Sequence, residues 1–238
     1  MAARLVGRVW LALLIGAIAV AANVEKVIFV AGQGAADGAS ALRSSILSSI
    51  LPRLTPDGNA WRTGLPAVFS WEDHFPDNGT TWVLLDDLSE GQRYELRVCW
   101  AATQPTAFTV EVFDLATVAT TAELLASLDS FLGRLGTQPK PPGASSSAPS
   151  TTSLLRIVAA ADFVAADRSA MRPGSVPPVL TDIILDPYLF NVLPRSLVPI
   201  VAAILAVAGV SAWLARRVIL PGLQAVAADG RGDDLSRI

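Results

Sequence analysis

Two stretches of the chain are almost wholly apolar, and the sequence between them alternates. Met1–Ala22 holds 18 apolar residues of 22, and Leu197–Ala215 holds 16 of 19. Val24–Val30 is β-branched and apolar, which predicts a first strand. Leu42, Ile46, Ile50 and Leu54 share one helical face, a short helix that Pro52 would end. Thr55–Gly58 reads as a turn, Trp82–Leu85 as a strand, and Asp86–Gly91 as a second turn. Tyr94, Leu96, Val98 and Trp100 alternate with Glu95, Arg97 and Cys99. Phe108, Val110 and Val112 alternate with Thr109, Glu111 and Phe113, so the spacing predicts a hairpin through Gln104–Thr106. Leu124, Leu128, Phe131 and Leu135 mark one face of a helix over Thr121–Leu135, closed by Gly136. Residues 137–153 are rich in Pro and Ser and predict a flexible loop. Leu154–Ala165 reads as a strand or a helix, the strand favoured, and Val179–Leu185 as a clearer strand. The fold class expected is mainly β: a sandwich-like domain with one or two short helices, plus one C-terminal transmembrane helix.

The two apolar runs carry different flanks. Arg4 and Arg8 precede an uncharged run that ends in Val20-Ala21-Ala22. A basic start, a short apolar run and a small-residue exit describe a secretory signal peptide over residues 1–22. Cleavage is expected before Asn23, an uncleaved anchor being the alternative. Leu197–Ala215 has no charge over 19 residues, near the ~20 needed to span a bilayer. Such a segment must be helical, because lipid offers its backbone no partners. Pro199 sits near its start, Trp213 near its end, and Arg216 and Arg217 follow. The expected arrangement is a single-pass type I membrane protein. Residues 23–196 would be lumenal, 197–215 the span and 216–238 a cytosolic tail.

Charge and composition then narrow the function. The net charge is −3, against the basic patch a nucleic-acid binder needs. One His and one Cys exclude a zinc site built from several such ligands, and any disulfide within the chain. His74 lies beside Glu72 and Asp73, but no Ser or Cys nucleophile motif accompanies it. Glu72-Asp73 and Asp86-Asp87 are adjacent carboxylates, and neighbours in a strand point to opposite faces. No catalytic, metal or cofactor residue is therefore assigned. Asn78-Gly79-Thr80 is an N-glycosylation sequon in a turn, expected to be used in a lumenal chain. Residues 186–196, DPYLFNVLPRS, are apolar and aromatic with two prolines expected to break regular structure. They read equally as a membrane collar, with Tyr188 and Phe190 at headgroup level, and as a docking site for another membrane protein.

Three segments resemble the fungal GPI-mannosyltransferase II co-activator family. They are NVEKVIF at Asn23–Phe29, GQRYELRVCWAATQPT at Gly91–Thr106, and ILDPYLFNVLPRSL at Ile184–Leu197. A shorter likeness, from Leu88 through Gly91 to Trp100, is to the approach into a late strand of a fibronectin-type sandwich. The family resemblance implies a non-catalytic subunit in the endoplasmic reticulum membrane. Its partner would be a multi-spanning GPI mannosyltransferase that adds the second mannose to the GPI precursor on the lumenal side. The resemblance implies no catalytic residue and no cofactor in this chain. Tyr188, Phe190, Asn191 and Arg195 are then candidate partner contacts. Ala206, Gly209 and Trp213 join them on the span, where Ala203, Ala206, Gly209 and Ala212 recur every third residue. The competing readings are a secretory-pathway cargo receptor or tethered chaperone, and an enzyme using His74.

Overall fold

The computed structural model describes residues 22–32, 47, 49–73, 75–135, 151–222 and 224. The expected signal peptide, His74 and most of the Pro/Ser loop lie outside the described residues, as does the tail beyond Leu220–Gly222 apart from Gln224. The chain divides into two compact units, one up to Pro187 and one from Tyr188.

The first unit is mainly β. In chain order its strands are β1 (Ala22–Val30), β2 (Arg53–Leu54), β3 (Ala60–Leu65), β4 (Thr80–Leu88), β5 (Arg93–Ala101), β6 (Thr106–Asp114), β7 (Thr151–Ala161) and β8 (Val179–Leu189), whose last two residues belong to the second unit. Two helices, α1 (Leu115–Thr120) and α2 (Ala122–Leu135), fall between β6 and β7. Sheet I has the order β1-β5-β8-β3, all antiparallel. Sheet II has the order β2-β4-β7-β6, antiparallel except for the short parallel β2–β4 pair.

The expected hairpin between Tyr94–Trp100 and Phe108–Phe113 does not form. β5 pairs with β1 and β8, whereas β6 pairs with β7 in the other sheet. Both strands carry a large ring on the face that must leave water. Trp100 and Phe108 meet edge to face at 4.6 Å, so the connection arches from one sheet to the other. Other expectations shift at their ends. β4 runs on to Leu88 through an irregularity at Asp86-Asp87, so the turn begins at Ser89. β7 takes in Thr151–Ser153, the end of the expected loop. β3 was not expected; its inward residues Trp61, Thr63 and Leu65 are separated by Arg62 and Gly64.

Burial explains the arrangement. One core is shared by both sheets: Leu96, Val98 and Tyr94 from β5, Ile183 and Leu185 from β8, and Val83, Leu85, Leu155 and Ile157 from sheet II. A second core lies on the other face of sheet II. There Trp82, Leu84 and Leu154 meet Val118 of α1 and Leu124, Leu128 and Phe131 of α2. The helix face predicted from spacing thus packs on sheet II, although Leu135 at its end stays exposed. Near Leu88 the Ser89 N–H donates to the Tyr94 hydroxyl at 2.9 Å. That bond ties the start of β5 to the backbone at the end of β4.

Candidate partner-binding site

The residues singled out before the apolar helix are not irregular. β8 continues through Asp186-Pro187-Tyr188-Leu189, and a two-residue strand β9 (Leu193–Pro194) folds back on it. The expectation that two prolines break structure here is corrected. β3 leaves β8 at Ile184, so at Pro187 a strand flank needs no N–H donor. Pro194 forms the last rung, opposite Tyr188.

The hairpin tip is Phe190-Asn191. The Val192 N–H donates to the Leu189 carbonyl at 3.0 Å, and both tip residues have positive φ, 52° and 58°. Two left-handed central residues make the turn whose twist suits a tight hairpin. Asn accepts that conformation readily; Phe does not, at about 1 kcal/mol or more. The strain holds a bare aromatic ring in solvent, with Phe190 96% exposed and Val192 78% exposed. Tyr188, by contrast, is buried (9% exposed). Of the two aromatics expected at the surface, only Phe190 is there. Asn191 and Arg195 are both exposed, Arg195 in a 3-10 turn at Arg195–Leu197.

The helix α3 (Val198–Leu214) follows and continues as a π-helical turn over Ala215–Ile219 and a last turn to Gly222. The helix thus continues past Ala215, through Arg216 and Arg217 to Val218-Ile219-Leu220. Within Arg195–Gly222 the most apolar 18-residue window has a mean hydropathy of 2.4, and none of that window is buried. Among the described residues it is the one helix long and apolar enough to cross a membrane, by length and composition. At about 100° per residue, steps of three drift by about 60° each, so Ala203, Ala206, Gly209 and Ala212 spiral over half the circumference. Ala206, Gly209 and Trp213, at steps of three and four, do share one face. A Cβ on Gly209 would meet nothing.

Sequence spacing missed a cluster on the outer face of sheet I. Glu95 of β5 and Asp186 of β8 stand opposite each other in register. Both are buried, Asp186 at 2% exposed. Arg97 reaches both, at 3.5 Å from Glu95 and 3.5 Å from Asp186, and Lys26 of β1 lies 3.7 Å from Glu95. These residues come from three strands, so no local motif announces them. The adjacent carboxylates found in the sequence do other work. Glu72 accepts the Phe69 N–H at 3.0 Å, and Asp86 pairs with Arg53 at 3.3 Å and accepts the Thr152 hydroxyl at 3.0 Å. Farther along the same face, Arg62 donates twice to Asp182, at 2.6 and 2.7 Å. Those hydrogen bonds hold the Asp182 carboxyl below its ordinary range. Burial pushes the neighbouring Cys99 thiol up, opposed by Arg97 and aided by Asp182. Among the described residues no group of three His, Cys, Asp or Glu could hold a metal ion.

Asn78 of the sequon is exposed, in the 3-10 turn Asp77–Gly79 of the first unit. Compared with known protein families, curated proteins and solved structures, the chain matches no family model, no curated protein and no solved structure.

Proposed function

We propose that this chain is a non-catalytic membrane subunit of a GPI mannosyltransferase II complex in the endoplasmic reticulum. In this reading a sandwich-like lumenal domain and a single membrane helix hold a multi-spanning catalytic partner that adds the second mannose. The observation that carries it joins sequence to fold. The three segments that resemble the co-activator family are distant in the chain, yet they fall on β1, β5 and β8, three neighbouring strands of sheet I. The third runs on through the Phe190 hairpin to the start of the apolar helix. A likeness scattered through the sequence therefore gathers on adjacent strands of one sheet. In the second unit the Phe190 tip supplies an exposed aromatic side chain, a residue type that dominates interface energetics.

The test is affinity purification of the tagged full chain in mild detergent, with mass spectrometry of the bound proteins. A multi-spanning mannosyltransferase in comparable amount is expected. Phe190→Gly with Arg195→Glu should reduce it at least tenfold. Glycine adopts the tip conformation without strain, so loss of the partner would report the ring and charge rather than a broken hairpin. A spread of secreted cargo without such an enzyme would favour a cargo receptor and overturn the proposal.

A further inference from the structure

The motif Asn78-Gly79-Thr80 is treated unequally by the fold. The Asn78 side is exposed. Thr80 is 1% exposed, starts β4, and its hydroxyl donates to the Pro76 carbonyl at 2.8 Å. The Gly79 N–H reaches the same carbonyl at 3.0 Å. Gly79 is seated against β7, where a Cβ would lie 2.6 Å from the Ala159 carbonyl oxygen and 3.1 Å from Val68 Cγ2. The hydroxyl two residues beyond the acceptor is part of what defines the motif, so the modifying enzyme must reach it. The folded chain withdraws that hydroxyl while leaving the asparagine in view.

We propose that Asn78 is an N-glycan acceptor that is modified before β4 closes on β7, and that the folded chain displays the glycan but cannot acquire it. The inference rests on the lumenal placement of the first unit proposed above. In the transfer, the Asn78 amide nitrogen bonds to the anomeric carbon of a lipid-diphosphate-linked oligosaccharide. The carbon–oxygen bond to the diphosphate breaks, and the amide proton leaves with the released lipid diphosphate. The topology provides the time. Thr80 pairs with Val158, 78 positions later (158 − 80). At about 5–20 residues per second, synthesis separates the two by about 4–16 s. Throughout that interval the β7 side of Thr80 is open.

The experiment is pulse-labelling of the full chain in eukaryotic cells, read as a glycosidase-sensitive mobility shift. The wild type should show one shift within the pulse, and Asn78→Gln should abolish it. Chains left unmodified after the pulse should gain no sugar during the chase. A control substitution, Ala101→Asn, puts a second acceptor ahead of Ala102 and Thr103 in the exposed turn after β5. If that control is modified and Asn78 is not, the proposal fails with the lumenal reading intact. If neither is modified, both fail. If mature chains acquire sugar at Asn78 during the chase, the ordering of modification and folding is wrong.

Discussion

Sheet I and sheet II bury the same inner face but treat their outer faces in opposite ways. Sheet II covers its outer face with α1 and α2, and hydrocarbon fills the gap from Trp82 to Phe131. Sheet I carries charge there: Lys26, Glu95, Arg97 and Asp186 in one ladder and Arg62 with Asp182 in another. Between these charges lie exposed Val24, Ile28, Val30 and Leu180. A sheet face closed by its own helices is committed to stability. A face that mixes salt-linked residues with single apolar ones resembles the polar, partly apolar composition of reversible interfaces. The three resembling segments contribute β1, β5 and β8 to sheet I, the sheet whose outer face carries these charges.

Three substitutions sharpen this contrast, from the largest effect to the smallest. Trp82→Ala removes a fully buried indole from the sheet II–helix core and its long hydrogen bond to Ser127 (3.4 Å). It should cost about 3–5 kcal/mol, read as a fall in the denaturation midpoint. Arg97→Met on sheet I leaves Glu95 and Asp186 buried without their shared cation, and should cost about 3 kcal/mol. Replacing all three by apolar residues of similar volume should restore most of that loss, because desolvation of the ions goes with them. If the triple variant is no better than Arg97→Met, stranded carboxylates are not the source of the loss and the ladder itself contributes to stability. Asp182→Asn should have the smallest effect, since its ion pair with Arg62 is exposed. The Asp182 carboxyl is held below 3.8 in the fold, so its contribution is present above that pH. It is lost as pH falls through the lower, folded value, where the variant and wild-type melting curves should converge.

The sequence showed most of what each strand does alone and little of what strands do together. The alternation through Tyr94, Leu96, Val98 and Trp100 named the buried face of β5 correctly, because side-chain period is a local property. It paired β5 with β6, since adjacent alternating strands usually form hairpins, and long-range packing of Trp100 on Phe108 decided otherwise. β3 escaped notice because AWRTGL has too few apolar residues to announce a strand; it is completed by pairing with β8 far downstream. For the candidate site, composition singled out both Tyr188 and Phe190, and nothing local distinguishes the exposed Phe190 from the buried Tyr188. The Glu95–Arg97–Asp186 cluster was invisible because β5 and β8 meet only in the fold.

β8 lies between β5 and β3, and it is the last long strand before the apolar helix. Until it arrives, β5 and β3 each present a row of unsatisfied backbone groups, the kind of flank on which chains aggregate. Pairings of such long sequence separation also form slowly. The first unit therefore remains sticky for most of its synthesis and becomes self-contained only when its final strand inserts. Truncations that stop before Val179 should behave as degradation substrates rather than as smaller versions of the domain.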